Sequence, residues 1–440
     1  MLAPARTLGL GGAYAGLAEG VDGTASNVAA PAVRAPFSSH HVDYDLTASI
    51  SLPGSFSSTD FENRGPLPRG SADAGNFIYG NAGLMLQVGP FGASFTVDAT
   101  SYTLTAPGGT AAAPSAATLD ARILHAHAIV AWAFLRHQLV VGIGLQGITM
   151  NLATGGLPLA PPSGIAPEAG VLVKLDDQPW RVGFSARAPV SGAVGSGVTP
   201  GPDGVRRVGD YILPQSAVVP AQLTAGVAVQ LGPRPLNPKW IDPSDQIAPL
   251  REKIEALRAE REKHDLAELG AIPEGPARTA RQRTLDKTER AIRRVEDARI
   301  DAEERKLAAE RDARYQNWPR PKVLVVLDAV ITAPVDNAVA ISSFLDQQRE
   351  SYGSSWTVSP RFGIEGEPIV DRFRLRFGGY LEPSLFDGGT ARQHFTFGGD
   401  LKLFQWDFFG VLAPTTWQIS FATDLAPRYT NWGLSLGVWR

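Results

Sequence analysis

His125 and His127 are the side chains whose type and spacing come closest to a metal site in this sequence. Residues two apart on a β-strand point to the same face, so both imidazoles would lie on one side, and imidazole is a common zinc ligand. No Cys and no carboxylate of known proximity accompanies the pair. We therefore expect the histidines to contribute polar packing inside the protein, and we predict no metal and no cofactor.

A row of three arginines has the same spacing. Arg372, Arg374 and Arg376 alternate with apolar side chains between Ile369 and Phe377. Guanidinium groups cannot face hydrocarbon or a dry core without partners, so the apolar side must be the lipid-facing or buried one. Two hypotheses remain for the arginines: a charge network with inward-facing carboxylates, or an arginine that binds the carboxylate of a fatty acid.

We predict no catalytic residues and no enzyme. The glycine-rich stretch 192–201 lacks the Lys-Ser/Thr ending of a phosphate-binding loop. The Ser, His and Asp residues show no arrangement that is typical of nucleophilic catalysis.

These polar groups need strands to position them, and strand periodicity recurs along the chain. Between Val42 and Leu52 every even position is apolar or aromatic and every odd position is polar, the pattern of a strand with one apolar face. About fourteen segments qualify by periodicity and turn chemistry. They are 38–52, 74–88, 91–105, 121–135, 139–152, 168–174, 180–188, 217–231, 322–333, 356–366, 370–385, 393–403, 410–424 and 429–439.

Composition excludes several classes of protein. The chain has 440 residues, no Cys and a net charge of -3, which fits an exported bacterial protein and gives no case for nucleic-acid binding. The longest apolar run, 323–333, is interrupted by Asp328 and is far shorter than the roughly 20 residues of a spanning helix. If the protein lies in a membrane, it must cross it with strands.

The lengths of the connections favour a membrane barrel over a soluble sandwich. If the N-terminus is periplasmic, the first, third, fifth and seventh connections lie outside the cell, and they are the long ones: 53–73, 106–120, 153–167 and 189–216. The intervening connections at 89–90, 136–138 and 176–179 are tight. Short periplasmic turns and long outer loops are typical of outer-membrane barrels.

One even-numbered connection, 232–321, is long and charged. Apolar residues at three-four spacing predict two helices with a narrow apolar seam, joined by a Gly/Pro turn at 270–276 into an antiparallel hairpin. The seam residues are Ile247, Leu250, Ile254, Leu257, Leu285, Ile292 and Val295. Strand parity places this hairpin in the periplasm, either as a self-contained spacer or as an arm that docks a periplasmic protein.

The N-terminal segment carries a resemblance to a known family. Arg6, Gly9, Gly11 and Gly12 form an Arg-x-x-Gly-x-Gly-Gly-Ala run, and an Asn-Pro-Ala-like stretch follows between Asn27 and Ala32, with Pro31 inside it. This segment resembles the N-terminal hatch of the FadL/TodX family of outer-membrane transporters and of the related PorV-type barrels. The runs 180–189 and 219–228 are similar to paired strands of the same family.

The resemblance implies an all-β fold, an antiparallel transmembrane β-barrel, and the roughly 14 segments above match the 14 strands of that family. The expected domains are a hatch at 1–37, barrel strands at 38–231, a periplasmic helical hairpin at 232–321 and barrel strands at 322–440. The implied location is the outer membrane of a Gram-negative bacterium.

Family membership would imply passive uptake of long-chain fatty acids or other hydrophobic molecules through a hatch-gated barrel. The expected partners are then outer-membrane lipid and a hydrophobic ligand. The alternative is a barrel that anchors a secretion, motility or surface-attachment complex and docks periplasmic partners through the hairpin.

Overall fold

The computed structural model describes residues 1–35, 38, 40–54, 59–67, 73–106, 117–154, 157–158, 162–194, 198–208, 211–319, 321–407 and 415–439. Contacts divide the chain into two units. The first contains 1–36, 44–238 and 319–440, and the second contains 37–43 and 239–318.

Fourteen antiparallel strands close into a ring. They are β1 (Val42–Gly54), β2 (Asp73–Val88), β3 (Phe91–Ala106), β4 (Ala117–Phe134), β5 (Leu139–Thr154), β6 (Ser163–Val173), β7 (Trp180–Arg187), β8 (Gln222–Leu231), β9 (Val323–Thr332), β10 (Thr357–Ile369), β11 (Phe373–Glu382), β12 (Arg392–Trp406), β13 (Thr415–Ala426) and β14 (Tyr429–Val438). Each strand pairs with its neighbours in the chain, and β1 pairs with β14 from Thr47 opposite Gly437 to Gly54 opposite Thr430. The prediction of a 14-stranded antiparallel barrel is confirmed.

The ring is polar inside and apolar outside. On β1, Thr47 and Ser51 are buried, whereas Ile50 and Leu52 are 51% and 55% exposed. Apolar side chains also face outward around the rest of the wall, where large ones such as Phe95, Ile143 and Phe377 are more than half exposed. An outward apolar band on a closed antiparallel barrel is the surface of a protein embedded in an outer membrane, so that location is confirmed.

Several predicted segments have different bounds in the structure. The strand predicted at 217–231 is split at Pro220, which has no N–H to donate, so Ser216–Val219 pairs with Val190–Ala193 and β8 begins at Gln222. The segment predicted at 168–174 begins earlier, at Ser163. The strand predicted at 370–385 begins only at Phe373, and part of the segment predicted at 410–424 lies outside the described residues.

The N-terminal segment (residues 1–35) lies inside the ring and is buried along nearly its whole length. It consists of a short helix, α1 (Ala5–Gly9), and two 3-10 turns, Val21–Gly23 and Ala30–Ala32. Glycines in the wall make room for its backbone. A Cβ atom at Gly92 would lie 2.0 Å from the Pro31 carbonyl oxygen, and one at Gly142 would lie 2.0 Å from the Val28 carbonyl oxygen.

The second unit is a pair of antiparallel helices, α2 (Pro243–Gly270) and α3 (Pro276–Gln316). Asp242 caps α2 by accepting a hydrogen bond from the Ser244 N–H. A further short helix, α4 (Ile341–Leu345), belongs to the first unit. Within the part of the chain that the structure describes, no helix combines the length and the apolarity needed to cross a membrane.

Candidate functional site

A cavity of about 830 Å³ opens at the end of the barrel that carries the long connections. Its walls come from residues 59–64, 213–220, 332–344 and 352–357, together with the ends of strands β2, β3 and β5. Binding sites for small molecules typically have volumes of roughly 300–1,000 Å³. The cavity is therefore large enough to enclose a small organic molecule.

Apolar and aromatic side chains form most of the wall. Leu104, Leu152 and Phe344 belong to one buried cluster at this end of the barrel. The rings of Phe77 and Tyr102 are stacked with centroids 4.8 Å apart, and Phe61 lies 4.4 Å from Phe77. Such a wall favours hydrocarbon over water.

The polar side chains of the wall are engaged with one another. The guanidinium of Arg64 lies 2.7 Å from a carboxylate oxygen of Glu350, donates to Ser343 Oγ at 3.1 Å and lies over the Phe386 ring at 4.1 Å. The Glu62 carboxylate accepts hydrogen bonds from the Ser342 hydroxyl and N–H. Burial raises the pKa of the Glu62 carboxyl, and the bonds from Ser342 oppose that rise.

The charge balance of the wall is acidic. The described lining includes three carboxyl groups, on Asp60, Glu62 and Asp336, and Arg64 is its one basic side chain. The Asp60 carboxylate accepts hydrogen bonds from the backbone N–H groups of Arg64 and Gly65. Asp60 is also paired with Arg428 at 2.9 Å, and Arg64 is paired with Glu350, so an anionic ligand would meet no basic side chain of the described lining outside an existing ion pair.

The N-terminal segment is fixed to the barrel wall by hydrogen bonds to its backbone. Asp328 Oδ2 accepts from the N–H groups of Tyr14 and Ala15, at 2.7 Å each. The Gln87 amide donates to the carbonyls of Pro31 and Val33. In these contacts the segment contributes only backbone N–H and carbonyl groups. They therefore hold the segment in place largely independently of the identity of its side chains.

The hatch residues predicted from the sequence all lie in this segment. Arg6 pairs with Glu365 and Glu19 at 3.3 Å each. Gly11 and Gly12 have φ of 64° and 75°, which favours glycine, and Gly9 packs against the backbone of Gly398. The Asn27 amide donates to the carbonyls of Ala15 and Val171, and Pro31 packs against the wall as described above.

Two of the three arginines belong to a buried charge network. Arg376 pairs with Glu365 at 2.7 Å and with Asp400, and Arg374 pairs with Glu367 at 2.7 Å. The prediction was wrong for Arg372, which is exposed in the turn between β10 and β11. Asp371 adopts φ 57° there and ends the alternation. These contacts favour the charge-network hypothesis over capture of a fatty-acid carboxylate by this row.

Both predicted histidines face the interior of the barrel. His127 is 2% exposed and its Nδ1 lies 2.9 Å from a Glu168 oxygen, while His125 Nε2 lies 3.2 Å from Gln146 Oε1. No sequence pattern indicated Glu168 or the neighbouring Asp98 as partners of the histidines. They come together only through the pairing of β3 with β4, of β4 with β5 and of β5 with β6.

The predicted hairpin seam is only partly apolar. Ile247 and Ile254 are buried, whereas Leu257 and Val295 are 43% and 71% exposed and do not form part of a buried seam. The remaining predicted seam residues, Leu250, Leu285 and Ile292, are half-buried. Several ion pairs connect α2 with α3: they join Arg251 to Glu304, Arg258 to Glu296 and Asp297, Arg261 to Glu289 and Glu296, and Arg281 to Glu268.

The cavity itself was not predicted from the sequence. Its lining comes from connections that are far apart in the chain, such as 59–64 and 332–344. Their length was a signal, because long loops on a rigid scaffold often carry binding sites. Nothing in the sequence indicated which of their residues meet.

The fold and the orientation of its side chains define a transmembrane β-barrel of the outer-membrane class with an internal N-terminal segment. Among solved structures, the chain is similar to a FadL homologue from Pseudomonas aeruginosa, with a TM-score of 0.53 and 10% identity over 99% of this chain and 97% of that one. The predicted resemblance to FadL/TodX proteins is thereby confirmed at the level of the fold.

Two further similar structures are channels by name. They are the toluene transporter TodX of Pseudomonas putida, with a TM-score of 0.47 and 11% identity, and the CymD monoaromatic hydrocarbon channel, with a TM-score of 0.47 and 10% identity. Each match covers 99% of this chain and 96% of the other. No protein-family model matches the sequence, and no curated protein is similar to it.

Proposed function

We propose that this protein provides a passive route for hydrophobic molecules across the outer membrane, and that such molecules first bind in the outer cavity. The observation that carries the proposal is an apolar, aromatic-walled cavity of about 830 Å³ at the end of a membrane barrel. A hydrophobic solute gains about 25 cal/mol for each Å² of apolar surface that leaves water. The cavity therefore concentrates such solutes at the entrance of the barrel.

The charges of the cavity favour neutral molecules over long-chain fatty acids. A fatty-acid anion would have to place its carboxylate near Asp60, Glu62 and Asp336, while Arg64 is already paired with Glu350. Desolvating a carboxylate without a free cationic partner is costly. A neutral headgroup avoids that cost.

The N-terminal segment is the hatch in this proposal. It lies inside the ring and is tied to the wall through Asp328, Gln87 and Arg181. Solute that leaves the cavity through the lumen must displace at least part of this segment. The local stability of the N-terminal segment then limits the rate at which solute passes through the barrel.

Binding to the purified full-length barrel tests the proposal. We expect 1-dodecanol to bind more tightly than dodecanoate, because the two share one alkyl chain and differ in headgroup charge. Ala217→Trp, which fills the cavity from its wall, should weaken dodecanol binding about 10-fold or more, because it removes apolar surface from the ligand's reach. Ala302→Trp, on an exposed position of α3, is the matched control and should bind like the parent protein.

The possible outcomes are distinct. If both tryptophan variants remain folded and bind dodecanol equally well, the cavity is not the binding site. If dodecanoate binds more tightly than dodecanol and Arg64→Gln removes that preference, fatty acids are the substrates.

A second candidate function, docking of a periplasmic protein, is favoured by one observation on the hairpin. The pairing of Arg258 with Glu296 brings their sequence neighbours Leu257 and Val295 to the same level of the helix pair, and both are exposed. Replacement of 243–314 by a short linker should leave dodecanol uptake by cells unchanged if the hairpin serves only docking. Loss of uptake in that variant would assign the hairpin to transport instead.

A further inference from the structure

Three side chains with metal-binding atoms converge inside the barrel on strands β3 and β4. Asp98 lies opposite His125 in the ladder between these strands, and His127 is two residues further along β4. The imidazole centroids of the two histidines are 4.1 Å apart. One ligand atom from each of the three side chains lies within 4.8 Å of the others.

The hydrogen bonds around the histidines leave one nitrogen of each free for a ligand. Gln146 Nε2 donates to the Ala188 carbonyl at 2.8 Å, which turns Gln146 Oε1 towards His125. His125 Nε2 therefore carries the proton that it shares with Gln146, and His125 Nδ1 holds the lone pair. At His127 the roles are reversed: Nδ1 donates to Glu168 at 2.9 Å, and Nε2 holds the lone pair.

Asp98 is held in a similar way. Its Oδ1 accepts hydrogen bonds from the Tyr79 hydroxyl at 2.6 Å and from the Asn81 amide at 2.7 Å. These bonds fix the carboxylate and leave Oδ2 available. Among the described residues, none forms a hydrogen bond with His125 Nδ1 or His127 Nε2.

In place of the sequence-based expectation of polar packing without a metal, we propose that Asp98, His125 and His127 bind a divalent transition-metal ion inside the barrel. Two imidazole nitrogens and one carboxylate oxygen are a donor set for Zn²⁺, Fe²⁺ or Co²⁺. Zinc bonds of about 2.0–2.2 Å in a tetrahedron bring ligand atoms to about 3.4 Å from one another. The ligand atoms, which now lie within 4.8 Å of one another, would have to move closer together around the ion, and water would complete the coordination.

The surrounding partners are of the kind that metal ligands require. Ligating histidines usually donate their second N–H to a carboxylate or a carbonyl, which fixes the tautomer and raises the basicity of the ligand. Glu168 does this for His127, and Gln146 does it for His125.

The site is connected to the N-terminal segment through its second layer. Glu168, which holds His127, also accepts from Arg187 Nε at 3.1 Å, and Arg187 donates to the carbonyls of Thr24 and Ala25. The metal ligands thus share a hydrogen-bonded chain with the part of the protein that fills the barrel.

Calorimetric titration of Zn²⁺ into the metal-stripped, full-length protein, purified without a histidine tag, tests the proposal. We expect one ion per chain. His125→Ala, His127→Ala and Asp98→Asn should each lower the affinity more than the roughly 10- to 100-fold that loss of an outer partner costs, and Glu168→Gln should fall within that range. His264→Gln, at a histidine that is exposed on the hairpin, is the matched control and should not change the affinity.

Co²⁺ provides a second readout that does not depend on the variants' stability. Binding at the proposed site should produce visible absorption bands of a low-coordinate cobalt ion with nitrogen ligands, and excess Zn²⁺ should remove them. The proposal is overturned if the parent protein binds no Zn²⁺ specifically, or if folded His125→Ala and His127→Ala proteins bind it as the parent does.

Discussion

Replacing Asp328 by alanine should release the N-terminal segment from the wall of the barrel. Asp328 is 6% exposed, and its Oδ2 accepts two hydrogen bonds of 2.7 Å from the N–H groups of Tyr14 and Ala15. Gly226 on β8 makes room for this carboxylate, since a Cβ there would lie 2.0 Å from Asp328 Oδ1. In the Asp328→Ala protein both donors lose their buried partner.

The size of the effect follows from these two bonds. A hydrogen bond to a charged acceptor contributes about 1.5–3 kcal/mol, so the loss of two costs the local structure roughly 3–6 kcal/mol. Since about 1.4 kcal/mol corresponds to a factor of ten, the amides of Tyr14 and Ala15 should exchange with solvent about 100- to 10,000-fold faster, up to the limit at which the whole segment opens.

Hydrogen exchange read by mass spectrometry measures this change in peptides that cover residues 10–18. Asp328→Asn keeps an oxygen acceptor but loses the charge, so it should lie between the parent and the alanine variant. Asp120→Ala, at an exposed position of β4, should exchange like the parent protein. If the Asp328→Ala protein is folded and its Tyr14 and Ala15 amides exchange at the parent rate, the segment is not held by these bonds.

Two further expectations concern packing and charge. Gly92→Ala should speed amide exchange around Pro31, because the new Cβ would lie 2.0 Å from the Pro31 carbonyl oxygen. Gly75→Ala, at a position with open space around it, should leave exchange in that region unchanged. Equal exchange rates in the two variants would contradict the packing argument. Raising NaCl to 1 M, where the screening length falls to about 3 Å, should speed amide exchange in α2 and α3 relative to the barrel strands. The reason is that ion pairs such as Arg258 with Glu296 join these helices. Exchange that does not depend on salt would show that the apolar contacts alone hold the two helices together.

The barrel could be predicted from the sequence because its determinants are local. Alternation on a single strand, as between Val42 and Leu52, already separates a lipid face from a lumenal face. The sequence-based predictions were wrong where an alternating pattern continued past the end of a strand. Arg372 has the spacing of Arg374, yet a turn at Asp371 removes it from the strand.

The candidate sites could not be predicted because they depend on register and on distant loops. Asp98 meets His125 only through the pairing of β3 with β4, and sequence spacing carries no information about that alignment. Likewise, the three-four spacing of Val295 predicted a buried seam position, but Val295 is 71% exposed in the structure, where ion pairs such as that of Arg258 with Glu296 join the two helices. The cavity required four connecting stretches of chain and the ends of three strands to come together.

The ladder between β1 and β14 has a consequence for biogenesis. The first strand of the ring pairs with the last, from Thr47 opposite Gly437 onwards. The barrel therefore stays an open sheet until strands β13 and β14 have been translated and exported. The N-terminal segment forms hydrogen bonds with strands all around the wall, among them β2, β6, β9 and β12. We therefore expect the segment to lie across the nascent sheet before the two edge strands pair, so that closure of the ring encloses it.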